Sequence, residues 1–336
     1  MKFGTWSYPL LIVVWRVTEV CDLGCDFCAY SRMLPRSRAV ANPDDVLRFG
    51  AVLGDYSAKF GRAVLVSWLG GEPLRWKPAF DVSRVFRVEF GLRVSATTNG
   101  TALESESVRR CVAEDFDPLT VSVDGVGPGH DRWRRTTGLY AQLEKNVRRL
   151  GELKLERGRS PRLRVNTILM RDNIHDFESL CRAVAGWGAD ELTFNALGGR
   201  DRPEFYAEHC LRPEDVAQFR QSLPGVRERM ARLGLTILGS ERYLDRLEAF
   251  ARGEALPVAD CRPGQTFLFV DERGMVSPCS YTVEGYGAPL DELRTADDVH
   301  RLPERFAASR RAMLAPCFDC PSTQVFGKFA HCETAK

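Results

Sequence analysis

The amino-acid sequence predicts an α/β fold, a partial (β/α)6 barrel followed by a small, cysteine-rich α+β region. Between about residues 8 and 198, short runs rich in Val, Ile and Leu alternate with longer amphipathic segments. This pattern is typical of strands buried on both faces of a parallel sheet. Eight β-then-α units close a barrel of about 250 residues. Six units in about 190 residues therefore predict an incomplete barrel with one open side.

The first 200 residues contain all six predicted strands, at Leu10–Glu19, Ala63–Leu69, Leu92–Thr98, Leu119–Asp124, Arg162–Met170 and Glu191–Ala196. The helices predicted between them lie at Pro43–Phe60, Pro78–Phe90, Glu104–Glu114, Leu139–Arg157 and Asp176–Gly188. Asn42 before Pro43 and Thr101 before Ala102 are predicted to begin helices, because their side-chain oxygens can accept hydrogen bonds from the first free N–H groups.

Beyond the barrel (residues 1–200), the sequence divides into a helical bridge (residues 201–255) and a cysteine-rich region (residues 256–336). The bridge is charged, and Pro213 and Pro224 are predicted to break its helices. The last region contains five cysteines but little apolar material, which is typical of small regions stabilised by metal. Its predicted elements are a hairpin of Thr266–Asp271 with Met275–Ser277 and a helix at Ala296–Met313.

Composition narrows the choice of partners and compartment. Hydrophobic residues make up 44% and charged residues 27% of the 336 residues, and the net charge of +2 favours neither nucleic acid nor a membrane surface as partner. The chain shows no signal peptide, and no apolar run reaches the roughly 18 residues of a spanning helix. We therefore expect a cytoplasmic protein, in which eleven cysteines favour metal ligation over disulfides.

The most informative motif is the run Cys-Asp-Leu-Gly-Cys-Asp-Phe-Cys, which contains Cys21, Cys25 and Cys28. It puts three thiolates on one short loop after the first predicted strand. A four-iron cluster normally takes four cysteines, so three leave one iron open. Zinc sites usually combine paired C-x2-C units into four ligands, and this triplet does not close such a site.

The C-x3-C-x2-C spacing resembles the cluster motif of the radical S-adenosylmethionine (SAM) superfamily, whose barrel is of the TIM type. The resemblance implies that the open iron of a [4Fe-4S] cluster binds the amino and carboxylate groups of SAM. The reduced cluster then passes one electron to the sulfonium, and the resulting 5′-deoxyadenosyl radical removes a hydrogen atom from substrate. The cofactors carry this chemistry, while the protein supplies position and exclusion of water.

The resemblance assigns SAM contacts at the ends of the first three strands. Gly70, Gly71, Glu72 and Pro73 resemble the GGEP motif, in which the carboxylate accepts a hydrogen bond from the SAM amino group. Phe27, inside the triplet, either packs against adenine or covers the cluster. For Thr98 and Asn99 the choice is between reaching a ribose or carboxylate and forming a turn with a helix cap.

The fourth strand end resembles the S-x-D-G…H-D-x-x-R…G…N pattern of the branch of the superfamily that carries extra clusters; it runs through Ser122, Asp124, Gly125, His130, Asp131, Arg134, Gly138 and Asn146. The resemblance implies that Ser122 contacts ribose and Arg134 approaches the SAM carboxylate, while Asp124 braces the loop. Asn166 is a candidate for the SAM end of the site. Asn195, with Gly198 and Gly199, is a candidate for facing substrate, although polar side chains in a barrel also serve to satisfy neighbours.

Four cysteines near the carboxyl terminus, Cys261, Cys279, Cys317 and Cys320, form a second unit. Their C-x12-G-x4-C…C-x2-C pattern resembles the twitch domain, the single-cluster relative of the SPASM domain. The resemblance predicts one auxiliary [4Fe-4S] cluster, with a tetrahedral zinc site as the alternative for the same ligands. A cluster with all four irons bound by thiolates suits electron relay, which favours a net two-electron oxidation of substrate.

The other cysteines leave alternatives open. Cys332 either replaces one of these four cluster ligands, or is a thiol that returns a hydrogen atom to a substrate radical, or has no role. A thiol that returns a hydrogen atom would make the enzyme an epimerase. Cys111 and Cys181 are expected to be small buried apolar residues, and Cys210 is undecided.

We therefore predict a radical SAM oxidoreductase that acts on a small polar metabolite of sugar, aminocyclitol or nucleoside type. The first strand begins by about residue 10, which leaves no space for a leader-binding domain and makes a ribosomally made peptide the second choice. An electron donor such as flavodoxin or ferredoxin is the expected partner. The alternative outside this class is a non-catalytic zinc or iron–sulfur scaffold.

Overall fold

The computed structural model describes residues 10–157, 161–199 and 202–330, and one continuous sheet organises them. Its strands are β1 (Leu11–Thr18), β2 (Val64–Gly70), β3 (Arg93–Thr98), β4 (Leu119–Ser122), β5 (Leu163–Leu169), β6 (Glu191–Ala196), β7 (Thr236–Ile237), β8 (Phe267–Val270), β9 (Met275–Ser277) and β10 (Ala288–Pro289). The spatial order is β10-β9-β8-β1-β2-β3-β4-β5-β6-β7.

Helices connect these strands and follow them to the carboxyl-terminal region. They are α1 (Pro43–Phe60), α2 (Ala79–Val88), α3 (Glu106–Asp115), α4 (Pro128–Arg134), α5 (Leu139–Arg157), α6 (Phe177–Gly186), α7 (Pro203–His209), α8 (Pro213–Ala231), α9 (Glu241–Arg252), α10 (Val283–Tyr286), α11 (Ala296–Ser309) and α12 (Ala315–Phe318). No helix in the described ranges is both long enough and apolar enough to cross a bilayer.

The six predicted strands are present, and they lie side by side in chain order. β1 through β6 are all parallel, each paired with the next. A parallel sheet that never reverses its order needs crossovers of one hand, which is how a barrel wall grows. The α/β class and the partial barrel are therefore confirmed.

Additional strands extend this wall at both edges. β8 pairs in parallel with β1, and β9 and β10 continue as antiparallel strands. β7 pairs with β6 inside the segment that the sequence predicted as a helical bridge, so a two-residue strand at Thr236–Ile237 lies among its helices. The carboxyl-terminal hairpin thus shares the sheet of the barrel, which compensates for its own shortage of apolar residues. Arg16 of β1 and Glu272 of the hairpin turn form an ion pair across this junction.

The two faces of the sheet have different chemistry. In β1, Val13, Trp15 and Val17 are buried, and the Trp15 ring meets that of Phe49 in α1 at 5.7 Å between centroids. This set packs against the surrounding helices. The alternate set, which includes Arg16, is half-buried and points to the concave face.

Helix ends test the local predictions. Asn42 does cap α1, with its Oδ1 accepting from the Asp44 amide at 3.0 Å. Thr101 instead begins a single 3-10 turn, and Ser105 caps α3, so the predicted start at Thr101 is wrong. Pro213 lies at the beginning of α8, whereas Pro224 lies inside that helix and does not break it.

Candidate functional site

The triplet cysteines lie on the loop after β1, at the carboxyl edge of the parallel strands. Cys25 is buried, and Cys21 and Cys28 are half-buried. Each sulfur has an N–H donor near it: the Leu23 amide at 3.5 Å from Cys21 Sγ, Arg134 Nη1 at 3.8 Å from Cys25 Sγ, and the Tyr30 amide at 3.4 Å from Cys28 Sγ.

This set of donors fits an iron–sulfur cluster. N–H groups directed at cysteine sulfur stabilise iron-bound thiolates and tune the cluster's reduction potential. Burial raises the pKa of Cys21 to about 12 and that of Cys25 to about 11. Near neutral pH these groups are therefore thiols until metal binding removes their protons.

The glycines after β2 allow the ends of β1 and β2 to approach closely. A Cβ on Gly71 would lie 2.2 Å from the Val20 carbonyl oxygen, and a Cβ on Gly70 would lie 2.1 Å from the Thr18 carbonyl oxygen. Gly70 also has φ of +152°, a conformation that favours glycine. The approach lets the Gly71 amide donate to Thr18 at 2.7 Å and the Glu72 amide to Val20 at 2.9 Å.

Glu72 joins the end of β2 to the end of β3. Its side chain is fully buried; Oε1 accepts from the Leu74 amide at 3.0 Å and from Thr98 Oγ1 at 2.6 Å. Oε2 accepts from the Asn99 amide at 2.6 Å. Burial raises the pKa of Glu72 to about 7, although the three hydrogen bonds act in the opposite direction. Pro73 follows in a 3-10 turn. The contact of this carboxylate with the SAM amine stays a prediction.

Asn99 connects β3 to the triplet loop. Its Nδ2 donates to Asp22 Oδ1 at 2.8 Å and lies 3.7 Å from Cys21 Sγ. Asp22 also accepts from Thr101 Oγ1 at 2.8 Å and pairs with Arg75 at 2.6 Å. Burial acts to raise the pKa of Asp22, but these hydrogen bonds and the charge of Arg75 hold it below its ordinary value. Sequence reasoning missed Asp22, for which the available signal was its place inside the triplet.

The end of β4 and α4 supply a buried ion pair. Arg134 Nη2 lies 2.6 Å from Asp124 Oδ2, and Asp124 Oδ1 accepts from the Ile168 amide at 2.9 Å. The Asp124 amide donates to Nδ1 of buried His130 at 3.1 Å. Burial acts to lower the pKa of Arg134, but the Asp124 carboxylate holds it well above its ordinary value. The guanidinium is therefore a fixed cation beside the Cys25 sulfur.

Phe27 packs between the triplet and the first helix after β6. Its ring centroid lies 5.4 Å from Arg134 Cζ and 6.2 Å from the Phe205 ring of α7. Phe205 in turn meets Trp133 edge-on at 5.9 Å. Phe27 is buried in this structure, and its contact with adenine stays a prediction.

Polar side chains of β4, β5 and β6 meet on the concave face. Ser122 lies in register with Asn166. Asn166 Oδ1 lies 3.1 Å from Thr193 Oγ1 and 3.3 Å from Asn195 Nδ2, and it accepts from both. A third donor is Lys328 Nζ at 2.8 Å, from a residue 162 positions further along the chain. No sequence motif identified Lys328, because nothing near it in the sequence shows that its segment returns to the barrel.

The four carboxyl-terminal cysteines come together from separate segments. Cys261 follows α9, Cys279 follows β9, Cys317 lies in α12 and Cys320 comes just after it. Burial raises the pKa of Cys320, and the charges of Cys279, Cys261 and Cys317 act in the same direction. The donor set suits a four-cysteine cluster. In the described ranges, no group of three or more His, Cys, Asp or Glu side chains is placed to hold one metal ion.

Two arginines hold the backbone around these cysteines. Arg246 Nη1 donates at 2.5 Å to Asp319 Oδ1, in the C-x2-C turn, and the same oxygen accepts from the Leu256 amide at 3.1 Å. Arg310 Nη1 donates to the Ala259 carbonyl at 2.7 Å, just before the first of the four cysteines. The cysteine-bearing loops are therefore anchored to α9 and α11.

The remaining predicted residues stand apart from these groups. Cys332 lies outside the described residues. Gly199 packs against Tyr206, since a Cβ there would lie 2.9 Å from the ring; a contact with substrate stays a prediction. Cys181 is fully buried, as expected, whereas Cys111 is only half-buried, so the expectation of a buried apolar residue is wrong there.

Two curated relatives share most of the chain's length. A Nitratidesulfovibrio vulgaris protein named AdoMet-dependent heme synthase is 25% identical over 292 residues, which cover 80% of this chain and 73% of that protein. A Methanosarcina barkeri protein of the same name is 24% identical over 282 residues, which cover 80% and 76%.

Solved structures show the same fold. The structure of native anSMEcpe with bound AdoMet aligns with a TM-score of 0.62 at 16% identity, over 93% of this chain and 89% of that chain. The family model described as the radical SAM superfamily matches residues 15–184, which contain the cysteine triplet, the GGEP turn and the buried arginine. That match covers half of the sequence, and the chain belongs to the radical SAM superfamily.

Proposed function

We propose that this enzyme carries out a net two-electron oxidation of a tetrapyrrole that bears carboxylates. The observation that carries the proposal is the junction of β1 with β8. β1 leads into the triplet loop, and β8 belongs to the hairpin that leads into Cys279. The two cysteine sets are thus attached to one sheet, which supports a fixed position of an auxiliary cluster relative to the radical site.

The chain's own residues divide the work between binding and protection. When bound, the triplet cluster and SAM supply the radical that takes one hydrogen atom from substrate. The triplet cysteines hold the cluster, and Glu72, Ser122 and Arg134 are the proposed contacts of SAM. Phe27 and the α7 aromatic residues exclude water from the triplet loop.

The auxiliary cysteines decide the outcome after hydrogen abstraction. A substrate radical that loses a proton is strongly reducing, and an oxidised [4Fe-4S] cluster held by Cys261, Cys279, Cys317 and Cys320 would accept the remaining electron. The substrate then loses two hydrogens in total, one as an atom and one as a proton plus an electron. A one-electron donor such as flavodoxin or ferredoxin would reduce a cluster on the triplet cysteines, and a carrier of the same kind would take the electron from a cluster on the four carboxyl-terminal cysteines.

Two features favour a tetrapyrrole over the sugars, aminocyclitols and nucleosides that the sequence suggested. Both long relatives are named heme synthases, at 25% and 24% identity. The concave face also offers amide and hydroxyl groups and one lysine, which suit carboxylates at the edge of a large ring. A ribosomally made peptide and an epimerase reaction remain the alternatives.

The test uses enzyme that is reconstituted without oxygen and supplied with SAM and dithionite. We expect iron coproporphyrin III, an iron porphyrin with propionate carboxylates, to stimulate formation of 5′-deoxyadenosine and to yield a product of lower hydrogen content. The same assay is run in heavy water, with a sugar and an aminocyclitol panel alongside. Stimulation by a panel member but not by the porphyrin contradicts the tetrapyrrole proposal, and deuterium at carbon contradicts the oxidation in favour of epimerisation.

A further inference from the structure

Lys328 is a buried cation that the radical chemistry does not use. Only 7% of its surface is exposed. Its Nζ donates to Asn166 Oδ1 at 2.8 Å, and Asn166 is a neutral amide on the concave face of the barrel. In the described part of the chain, no carboxylate lies within ion-pair distance of this ammonium group.

The surrounding charges do not compensate for this burial. Arg164 of β5, which is itself a cation, acts on Lys328. Arg164 is neutralised by Glu191 of β6 at 2.5 Å, so that carboxylate is already paired. Burial and the charge of Arg164 lower the pKa of Lys328 to about 7. A buried ammonium without an anion is costly, and either loss of its proton or arrival of an anion removes that cost.

The backbone holds Lys328 in place for binding. Gly327 has φ of +82°, and its carbonyl accepts from the Ser240 amide at 3.1 Å. Ser240 Oγ donates to the Phe326 carbonyl at 2.8 Å, and the Ala330 carbonyl accepts from the Gly239 amide at 3.0 Å. These bonds fix the segment against the beginning of α9, so presenting the side chain to the barrel needs little further ordering.

Lys328 also lies where a substrate would be. Its acceptor Asn166 is in register with Ser122, the proposed ribose contact, on the neighbouring strand. Asn166 and Asn195 are half-buried, so part of each residue is accessible to solvent. Among the described residues, the site thus combines the Lys328 ammonium group, and Arg164 already paired with Glu191, with neutral hydrogen-bonding groups, an arrangement that suits one carboxylate.

We propose that Lys328 binds a carboxylate of the substrate inside the barrel, with Asn166 orienting its ammonium group. This assignment rests on the proposed function, because it takes the concave face as the substrate site. The chemical class of the ligand group is a carboxylate, and on the proposed substrate it is a propionate.

The experiment measures binding rather than turnover. Holoenzyme with SAM is titrated with iron coproporphyrin III and, separately, with the corresponding amide, which keeps the ring but lacks the carboxylate charge. The variants are K328M, which keeps the side-chain length without the charge, and K328R, which keeps the charge. The matched control is K59M, which removes a surface lysine paired with Asp297.

For the carboxylate probe we expect K328M to weaken binding by about 10- to 100-fold, the usual effect of losing a buried hydrogen bond to a charged group. K328R should restore part of the affinity for the carboxylate probe, and K59M should bind it as the natural chain does. The amide probe should bind natural enzyme and K328M with similar affinity. Equal binding of the carboxylate probe by K328M and the natural enzyme overturns the assignment.

A failure of the proposed function gives a different result. If the porphyrin neither binds natural enzyme nor stimulates SAM cleavage, the tetrapyrrole proposal fails, and succinate replaces it as the probe in thermal melting. A melting temperature raised by succinate in natural enzyme and K59M but not in K328M supports the lysine assignment independently. The same shift in all three, or in none, overturns it.

Discussion

Replacing Gly71 by alanine tests how tightly the triplet loop must approach the end of β2. The new Cβ would lie 2.2 Å from the Val20 carbonyl oxygen, one residue before Cys21. Non-bonded carbon contacts are ordinary at about 3.5 Å, so the loop must move by roughly 1 Å. Such a movement breaks the buried hydrogen bonds from the Gly71 amide to Thr18 and from the Glu72 amide to Val20, which measure 2.7 and 2.9 Å.

The magnitude follows from these two bonds. Each buried donor that is left unsatisfied costs about 1–3 kcal/mol, so the two together should cost G71A about 2–6 kcal/mol of stability. In a chain of this size that loss lowers the melting temperature by about 3–10 °C. Because the displaced oxygen adjoins Cys21, we also expect less iron at the triplet site after anaerobic reconstitution.

The matched control is G129A, at an exposed glycine where an added Cβ has nothing within 4 Å. The assay records thermal unfolding of both variants without metal, followed by iron content after reconstitution. If G71A has the same melting temperature as G129A and binds as much iron, the close approach of the two strand ends is not what positions the triplet loop.

Three other changes probe separate parts of the site. D124N leaves the buried Arg134 guanidinium without its anion, and we expect denaturant unfolding to show a loss of about 3–5 kcal/mol of stability. The control D291N, at the surface, should change stability little. If D124N and D291N are equally stable, the buried ion pair is contradicted. Lys328 has a folded pKa lowered from 10.5 to about 7, so the unfolded chain binds more protons between these values and stability rises with pH there, by about 1.4 kcal/mol per unit. The free energy of unfolding of the metal-free natural protein should rise between pH 7 and 8.5 by more than that of K328M. If the two proteins show the same change of unfolding free energy with pH, this prediction is contradicted. The double variant C317S/C320S should reduce iron from about eight to about four per chain, as measured by iron analysis; unchanged iron contradicts the auxiliary ligand set.

Local patterns made the barrel wall predictable. The strands from Leu11–Thr18 to Glu191–Ala196 were found within a few residues because each is a short apolar run between helical segments. Cysteine spacing likewise predicts both cysteine sets, since ligands close in sequence need only a turn to meet, and their role as ligands stays a prediction.

Long-range pairing was not predictable from such patterns. β8 lies about 250 residues after its partner β1, and the two residues of β7 are too few to show alternation. Lys328 reaches Asn166 only because the chain folds back after α12. Glu72 was identified as a ligand candidate, but its three hydrogen-bond donors come from the tertiary approach of β3 and the following turn.

The central claim is that three cysteines hold a cluster whose fourth iron binds SAM. The most direct test is electron paramagnetic resonance of the anaerobic C317S/C320S variant, reduced with dithionite, before and after addition of SAM. One [4Fe-4S] signal that shifts when SAM is added agrees with an open iron at the triplet. A signal that SAM leaves unchanged, or a triplet that holds zinc or no metal at all, contradicts the account.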